Sequence, residues 1–195
     1  GPLPPRGRHA GVTDGELLAA LATSQRLGYL GDRPVPEGVE HALAFVGALE
    51  GVTGTVVDLG TGGGVPGLVI AVHRPDLRLV LVDRRTARTD HVTRLVRRLH
   101  LAERVQVWAG DAARLVLPSP ADAVVARGFG PPAITAATAA RLLRPGGRLV
   151  TSEPPEPDPA RWPTPMLEEL GLERLPWPDR RVAVFHVKPD RPRRP

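Results

Sequence analysis

Asp58 stands on a short β-branched run, two residues before the first glycine of Val56-Val-Asp-Leu-Gly-Thr-Gly-Gly-Gly-Val-Pro-Gly67. Glycines permit a tight turn and let a ligand lie against backbone amides at the amino end of a helix, and Pro66 suits the first turn of that helix. Gly60, Thr61, Gly62 and Gly64 are therefore candidate binding positions. The spacing Gly62-x-Gly64-x-x-Gly67 also fits a nicotinamide fingerprint. Dinucleotide enzymes normally keep the place of Asp58 apolar, so the acid argues for a different cofactor. Asp83 ends the next apolar run, 25 residues after Asp58, where a carboxylate can take both ribose hydroxyls of an adenosine. Capping the following helix is its plainer role. Gly110-Asp111 follows the third run, where the carboxylate or the adjacent Ala112 amide suits adenine recognition, and helix capping competes there too. Arg127 follows the fourth run. In an open α/β sheet such strand ends share one crevice, so Asp58, Asp83, Asp111 and Arg127 are expected to converge.

Residue usage removes many other chemistries. The 195 residues contain no cysteine, which excludes disulfides, Cys-ligated zinc, iron–sulfur clusters and thiol nucleophiles. The only lysine, Lys188, lies far from the glycine loop, so there is no Walker-type lysine, and the only tyrosine, Tyr29, has no lysine near it. Ser24, Ser119 and Ser152 form no nucleophile elbow, and the six histidines show no His-Glu-x-x-His spacing, so no metal site is expected. No apolar run approaches the length of a membrane span and no signal-peptide pattern opens the chain, which reads as cytoplasmic and without a membrane partner. A net charge of +5 and a pI near 11.0 point toward a polyanionic partner. Arg-, Ala-, Pro- and Gly-heavy usage also fits a GC-rich genome.

The elements that must carry these residues read as one α/β domain. Residues 1–12 lack apolar periodicity and predict a flexible amino-terminal segment. Residues 13–50 predict a helical extension: Thr13-Asp-Gly-Glu16 has the spacing of a capping box before Leu17, Leu18, Leu21 and Ala22, and Val39, Ala42, Leu43, Val46 and Leu49 recur at helical spacing. Residues 51–188 then alternate strands and helices. Strands are expected at 55–59, 78–82, 104–108, 122–126, 147–151 and 180–187, with a weaker one at 172–176 antiparallel to the last. Helices are expected at about 66–73, 86–100, 132–143 and 165–171, with Leu143-Arg-Pro-Gly-Gly147 turning one of them into a strand. Residues 153–165 are proline-rich and stiff, and residues 189–195 form a basic tail.

Asp58-Leu-Gly-Thr-Gly-Gly-Gly, Asp83, Gly110-Asp111 and Arg144-Pro-Gly-Gly147 together resemble a class I S-adenosylmethionine-dependent methyltransferase. More narrowly, Gly64-Val-Pro-Gly67, Arg88 five residues after Asp83, Val125-Ala-Arg127 and His41 resemble the RsmG (GidB) family, which methylates guanine N7 in bacterial 16S rRNA. The resemblance covers about residues 39–187. It implies a Rossmann-like seven-stranded sheet, mostly parallel with one antiparallel strand and helices on both faces. It also implies S-adenosyl-L-methionine as cofactor, 16S rRNA or a small-subunit precursor as partner, and a monomeric protein. Asp58, Gly60, Thr61, Gly62, Gly64, Asp83, Arg84, Asp111, Ala112 and Arg127 become its expected cofactor contacts.

The residues themselves suit attack by a ring nitrogen. Exocyclic amine methylation generally uses an Asp/Asn-Pro-Pro-aromatic loop after the fourth strand, whereas this chain has Ala126-Arg-Gly-Phe-Gly-Pro-Pro132, and cytosine C5 chemistry needs a cysteine. Guanine N7 has an in-plane lone pair, so it needs alignment and water exclusion but no base. Arg127 is the expected positioning residue, holding guanine O6, a phosphate or the cofactor carboxylate, with a surface arginine or a structural ion pair as the plainer reading. Arg88, Arg94, Arg97 and Arg98 form an expected RNA-backbone stripe, or a solvated helix face.

Three segments depart from the family pattern. Ala87-Arg88 stands for Lys-Arg, Ser152-Glu153 for Lys-Gly, and Ala44-Phe45 for Asp-Ser. Glu153 is therefore expected to place an anion at the crevice, with lysine at 87 and 153 restoring RNA affinity. A divergent paralogue, a small-molecule methyltransferase with the proline-rich loop closed over the crevice, and a cofactor- or RNA-binding module without turnover stay open.

Overall fold

Successive side chains on a strand face opposite sides, and the apolar residues of the central runs divide accordingly. In the computed structural model, which describes residues 11–190, Val56, Leu79, Leu81, Val105, Ala123, Val125, Val150 and Val184 enter one core, and Val57, Leu59, Val82, Val124, Ala126, Leu149 and Phe185 enter a second. A sheet buried on both faces needs helices on both. The strands β1 (Thr55–Leu59), β2 (Arg78–Asp83), β3 (Val105–Ala109), β4 (Ala121–Ala126), β5 (Leu143–Ser152), β6 (Leu172–Leu175) and β7 (Val182–Val187) form one seven-stranded sheet in the order β3-β2-β1-β4-β5-β7-β6. Only β7 runs against its neighbours, pairing antiparallel with both β5 and β6.

Helices α1 (Asp14–Arg26), α2 (Val35–Ala48), α3 (Gly67–His73) and α4 (Thr86–Arg98) contribute to the first core, and α5 (Pro132–Leu142) and α6 (Thr164–Glu169) to the second. The expected capping box is present: Thr13 Oγ1 accepts from Glu16 N at 3.2 Å, and Glu16 accepts from Thr13 N at 2.8 Å. The helical extension is continuous with the main core, since Leu17, Leu21, Phe45 and Leu49 are fully buried in the same cluster as Leu68 and Leu81. Residues 1–10 and 191–195, and with them most of the expected flexible segment and the Arg191-Pro-Arg-Arg194 tail, lie outside the described residues.

Two expectations need adjusting. Pro66 does not enter α3; it caps that helix, which starts at Gly67. The Leu143-Arg-Pro-Gly-Gly147 segment is not a free turn but the start of β5. Leu143 pairs with Ala121, the register then shifts, and pairing resumes at Arg148 with Ala123. Gly146, with a φ of 74°, absorbs that bend.

Between β3 and β4 the chain makes only a 3-10 turn, Ala112–Arg114, in place of a crossover helix. Arg141 of α5 holds this segment, donating to the carbonyls of Ala112 at 2.6 Å and Leu115 at 2.9 Å.

Candidate cofactor and acceptor site

The glycine loop crosses the carboxyl end of β1 and is held from below by two carboxylates. Asp58 is fully buried, and its Oδ2 accepts from Gly67 N at 2.9 Å. A Cβ on Gly67 would lie 2.6 Å from that oxygen, so only glycine lets α3 begin here. Burial pushes the Asp58 carboxyl up to about 7, opposed by the nearby Thr61 hydroxyl, the Gly67 amide and the charge of Arg127. Asp58 Oδ1 and Thr61 Oγ1 are buried without a hydrogen-bond partner in the structure, two polar atoms that an approaching ligand can satisfy.

Asp83 ends β2, buried to 6% exposure, and orders the loop from the other side. Its Oδ2 accepts from Gly62 N at 3.0 Å and its Oδ1 from Arg85 N at 2.9 Å, while Arg88 Nη1 approaches Oδ2 at 3.9 Å. Each oxygen keeps a lone pair for a hydroxyl. Gly60, Gly62 and Gly64 have φ of 69°, 56° and 104°, the left-handed region that their place in the loop requires. Phe129, from the β4–α5 loop, covers Gly60; a Cβ there would meet its ring at 3.1 Å.

Two adjoining cavities open along this edge. The first, about 380 Å³, is walled by Gly60, Asp83, Arg84, Asp111, Ala112 and Phe129. Asp111 spends one oxygen capping the 3-10 turn, accepting from Ala113 N at 2.9 Å, which is the capping role expected as its alternative. The second, about 430 Å³, is walled by Leu21, Leu30, Arg33, His41, Arg127 and Ser152. Gly128 lines both. The expected convergence is thus divided: Asp83, Arg84, Asp111 and Ala112 meet in one cavity, Arg127 stands in its neighbour, and Asp58 lies beneath the loop.

Arg127 is half-buried, and among the described residues it has no hydrogen-bonded or salt-bridged partner. Burial lowers its pKa, and the nearby Asp58 charge offsets part of that. His41 faces the same space with Nδ1 buried and unpartnered. Burial, together with the charges of Arg33, Arg127 and Arg181, keeps its pKa below the ordinary histidine range despite Asp179, so the imidazole is neutral at pH 7.

Glu153 lines the Arg127 cavity as expected, but its charge is not free there. Its side chain is 1% exposed, and its carboxylate is committed to neighbouring side chains. Oε1 accepts from Arg161 Nη1 at 2.8 Å and from Trp162 Nε1 at 2.9 Å, and Arg174 Nη2 lies 3.9 Å from Oε2. The side chain therefore pins the proline-rich loop to the face carrying α6, where Trp162 packs on Phe185. Glu153 aside, no residue of that loop lines either cavity, so the loop is not folded over the crevice.

Arg88 lies at the crevice end of α4, and Arg94, Arg97 and Arg98 are exposed along the helix. A helix rises about 1.5 Å per residue, so Arg97 and Arg98 sit roughly 14 Å from the crevice end; they line a groove with Val72, His100 and Arg104 at the opposite edge. No group of three or more His, Asp or Glu among the described residues is placed to hold a metal ion. No helix there is long and apolar enough to cross a membrane.

The site can now be set beside known proteins. A family model described as rRNA small subunit methyltransferase G, GidB, matches residues 33–153, which includes the glycine loop, both carboxylates and Arg127. The chain belongs to the GidB family. Proteins named ribosomal RNA small subunit methyltransferase G from Salinispora arenicola and Thermobifida fusca are 38% and 36% identical to it, over 71% and 69% of this chain and 57% of each relative. The Streptomyces coelicolor protein of the same name is 33% identical over 88% of this chain and 70% of its own. The chain spans somewhat over half the length of the first two GidB relatives. The cofactor-bound Rv0187 from MTB superposes with a TM-score of 0.62 at 22% identity, covering 90% of this chain and 91% of its own. An O-methyltransferase family protein from Burkholderia thailandensis gives 0.63 at 17%, covering 89% of this chain and 58% of its own. These two likenesses establish the Rossmann-like methyltransferase fold.

Proposed function

We propose that this GidB-family chain binds S-adenosylmethionine in the Asp83 cavity and transfers its methyl group to guanine N7 of small-subunit rRNA. The observation that carries the reading is the pair of adjoining cavities, one walled by the ribose-type acid and the other by an unpartnered Arg127 beside a neutral His41. Asp58, Thr61 and the loop amides would hold the cofactor's amino-acid end, and Asp83 with Asp111 and Ala112 its nucleoside. When bound, the cofactor supplies an electrophilic sulfonium methyl. The protein then has to orient the acceptor lone pair and exclude water, tasks that a cationic cavity performs and that need no proton abstraction. Arg127 is suited to hold guanine O6 or a phosphate, because a donor on N7 itself would block the nucleophile. The exposed Arg84, Arg85 and Arg94, with Arg97 and Arg98 further out, add sequence-independent attraction to RNA phosphate.

The test incubates the protein with S-adenosylmethionine and either 16S rRNA or small subunits, followed by nucleoside mass spectrometry. The expected product is 7-methylguanosine; methyl transfer to small molecules alone would move the reading to the small-molecule alternative, and no transfer at all to the module without turnover.

Two variants separate binding from chemistry. Asp83→Ala should cost about 1.5–3 kcal/mol of S-adenosylhomocysteine affinity by calorimetric titration, since hydrogen bonds to a charged group are lost. Wild-type affinity in that variant, or a preference of the parent for NADH, would reject the assignment. Arg127→Ala should slow single-turnover methyl transfer on the order of a hundredfold while leaving cofactor affinity within about threefold. Equal rates in the two proteins would leave Arg127 a structural role only.

A further inference from the structure

Ser24 is a fully buried hydroxyl on α1 that continues the stripe of Leu17, Ala20 and Leu21, and it lies outside the residues matched by the family model. Its Oγ donates to the Gly63 carbonyl at 2.7 Å and stands 3.0 Å from His91 Nε2. A hydroxyl has one proton to give. With that proton on Gly63, the second contact requires His91 Nε2 to carry its hydrogen and Ser24 to accept it. Thr23 gives the same assignment, because its Oγ1 donates to the Ala20 carbonyl at 2.5 Å and lies 3.4 Å from the same nitrogen. Burial and the nearby Arg94 hold His91 below the ordinary histidine pKa, consistent with the neutral form.

From His91 the contacts close a circuit around the cofactor cavity. Tyr29 meets the His91 ring edge-on, 5.6 Å between centroids, and the Arg88 guanidinium sits 5.8 Å over the Tyr29 ring. Arg88 faces Asp83 Oδ2, the oxygen that also accepts the Gly62 amide. Gly63 leaves no space between the loop and the helical extension: a Cβ there would lie 2.8 Å from Leu30 Cδ2 and 2.9 Å from Ser24 Cβ. The same extension supplies Leu21, Leu30, Arg33 and His41 to the Arg127 cavity.

We propose that Ser24 and His91 are positioning residues that lock Gly62 and Gly63 from outside, so that docking of the helical extension sets the affinity of the crevice for S-adenosylmethionine. The inference rests on the reading under Proposed function for its ligand. Coupling of this kind is reciprocal, so cofactor occupancy in turn holds the extension against the Arg127 cavity.

The experiment titrates S-adenosylhomocysteine into wild type, Ser24→Ala, His91→Leu and His91→Gln, and follows hydrogen exchange of the same proteins with and without ligand. Ser24→Ala and His91→Leu should each weaken binding about tenfold, the double variant little more than either, because one shared link is removed. His91→Gln keeps an N–H donor and should stay within about twofold of wild type. Exchange at residues 60–65 should quicken in the two weak variants while β4 and β5 keep their protection. Unchanged affinity and unchanged loop exchange in both variants would overturn the lock, as would a glutamine variant as weak as the leucine one. If wild type itself binds no S-adenosylhomocysteine, the cofactor reading fails, whereas loop exchange in the ligand-free proteins still decides whether the lock exists.

Discussion

Glu153→Lys should destabilise the protein by about 3–5 kcal/mol, because removing one partner of a buried charged pair leaves the others uncompensated. The substitution would place an ammonium against Arg161 and Arg174 and leave the Trp162 indole N–H without its acceptor. Urea unfolding of the two proteins measures the difference; equal midpoints would mean that the loop closes without its carboxylate. The departure at Ala87 is tolerant by comparison. Ala87 is exposed in the first turn of α4, beside Arg84 and Arg85, so Ala87→Lys adds a cation without disturbing a contact. One further phosphate contact steepens the salt dependence of RNA affinity by about 0.7–0.9 in log–log slope. The two substitutions therefore report on different properties: Ala87→Lys tests RNA binding, and Glu153→Lys tests folding.

Asp58→Asn should make the ligand-free protein more stable at pH 8 by up to about 4 kcal/mol, while abolishing the pH dependence that Asp58 imposes. The native carboxyl titrates near 7 against an ordinary value of 3.8. A carboxyl raised in the folded state binds more protons there than in the unfolded chain. Stability from this group is thus present at pH 4 and is lost as pH rises toward and through 7. Denaturation midpoints from pH 4 to 8 should fall more in wild type than in Asp58→Asn, and curves that stay parallel would exclude the burial penalty. A cationic ligand favours the ionised carboxylate, so S-adenosylmethionine affinity should rise across the same interval in wild type and lose that rise in the variant. The residue thus costs the empty protein stability and returns part of it on binding.

Most of the sheet was legible because a strand buried on both faces is a continuous β-branched run, and such runs at 55–59, 78–82 and 122–126 have few other readings. Both carboxylates of the glycine loop were legible for the same reason: an acid inside or ending an apolar run is conspicuous. The partners that a strand-end side chain finds were not. Ser152 and Glu153 both line the Arg127 cavity, yet the Glu153 carboxylate is tied up by Arg161 and Trp162, partners eight and nine residues ahead in a loop of no regular period. Ser24 escaped through its chemistry. Reading α1 for apolar spacing alone selected Leu17, Leu18, Leu21 and Ala22, whereas the buried stripe is Leu17, Ala20, Leu21 and Ser24. A hydroxyl at the position where the stripe should continue was the available signal. Phe129, whose place over Gly60 depends on how the β4–α5 loop folds back, and Arg141, which reaches carbonyls 26 and 29 residues away, left no local signal at all.

The reversed direction of β7 has a practical bearing. Val182 pairs with Ser152 at the crevice edge, and Val187 pairs with Leu172 at the far edge. The chain therefore leaves its last strand on the side of the sheet away from both cavities. An affinity handle or surface tether fused beyond residue 190 is anchored behind the molecule, leaving the crevice mouth facing outward even for a bulky macromolecular ligand. An attachment before Gly11 starts from the rear groove shared by Gly11, Arg97 and Arg98, and would crowd the far end of the α4 arginine row instead. Immobilised binding assays on this protein are best built on the carboxyl side.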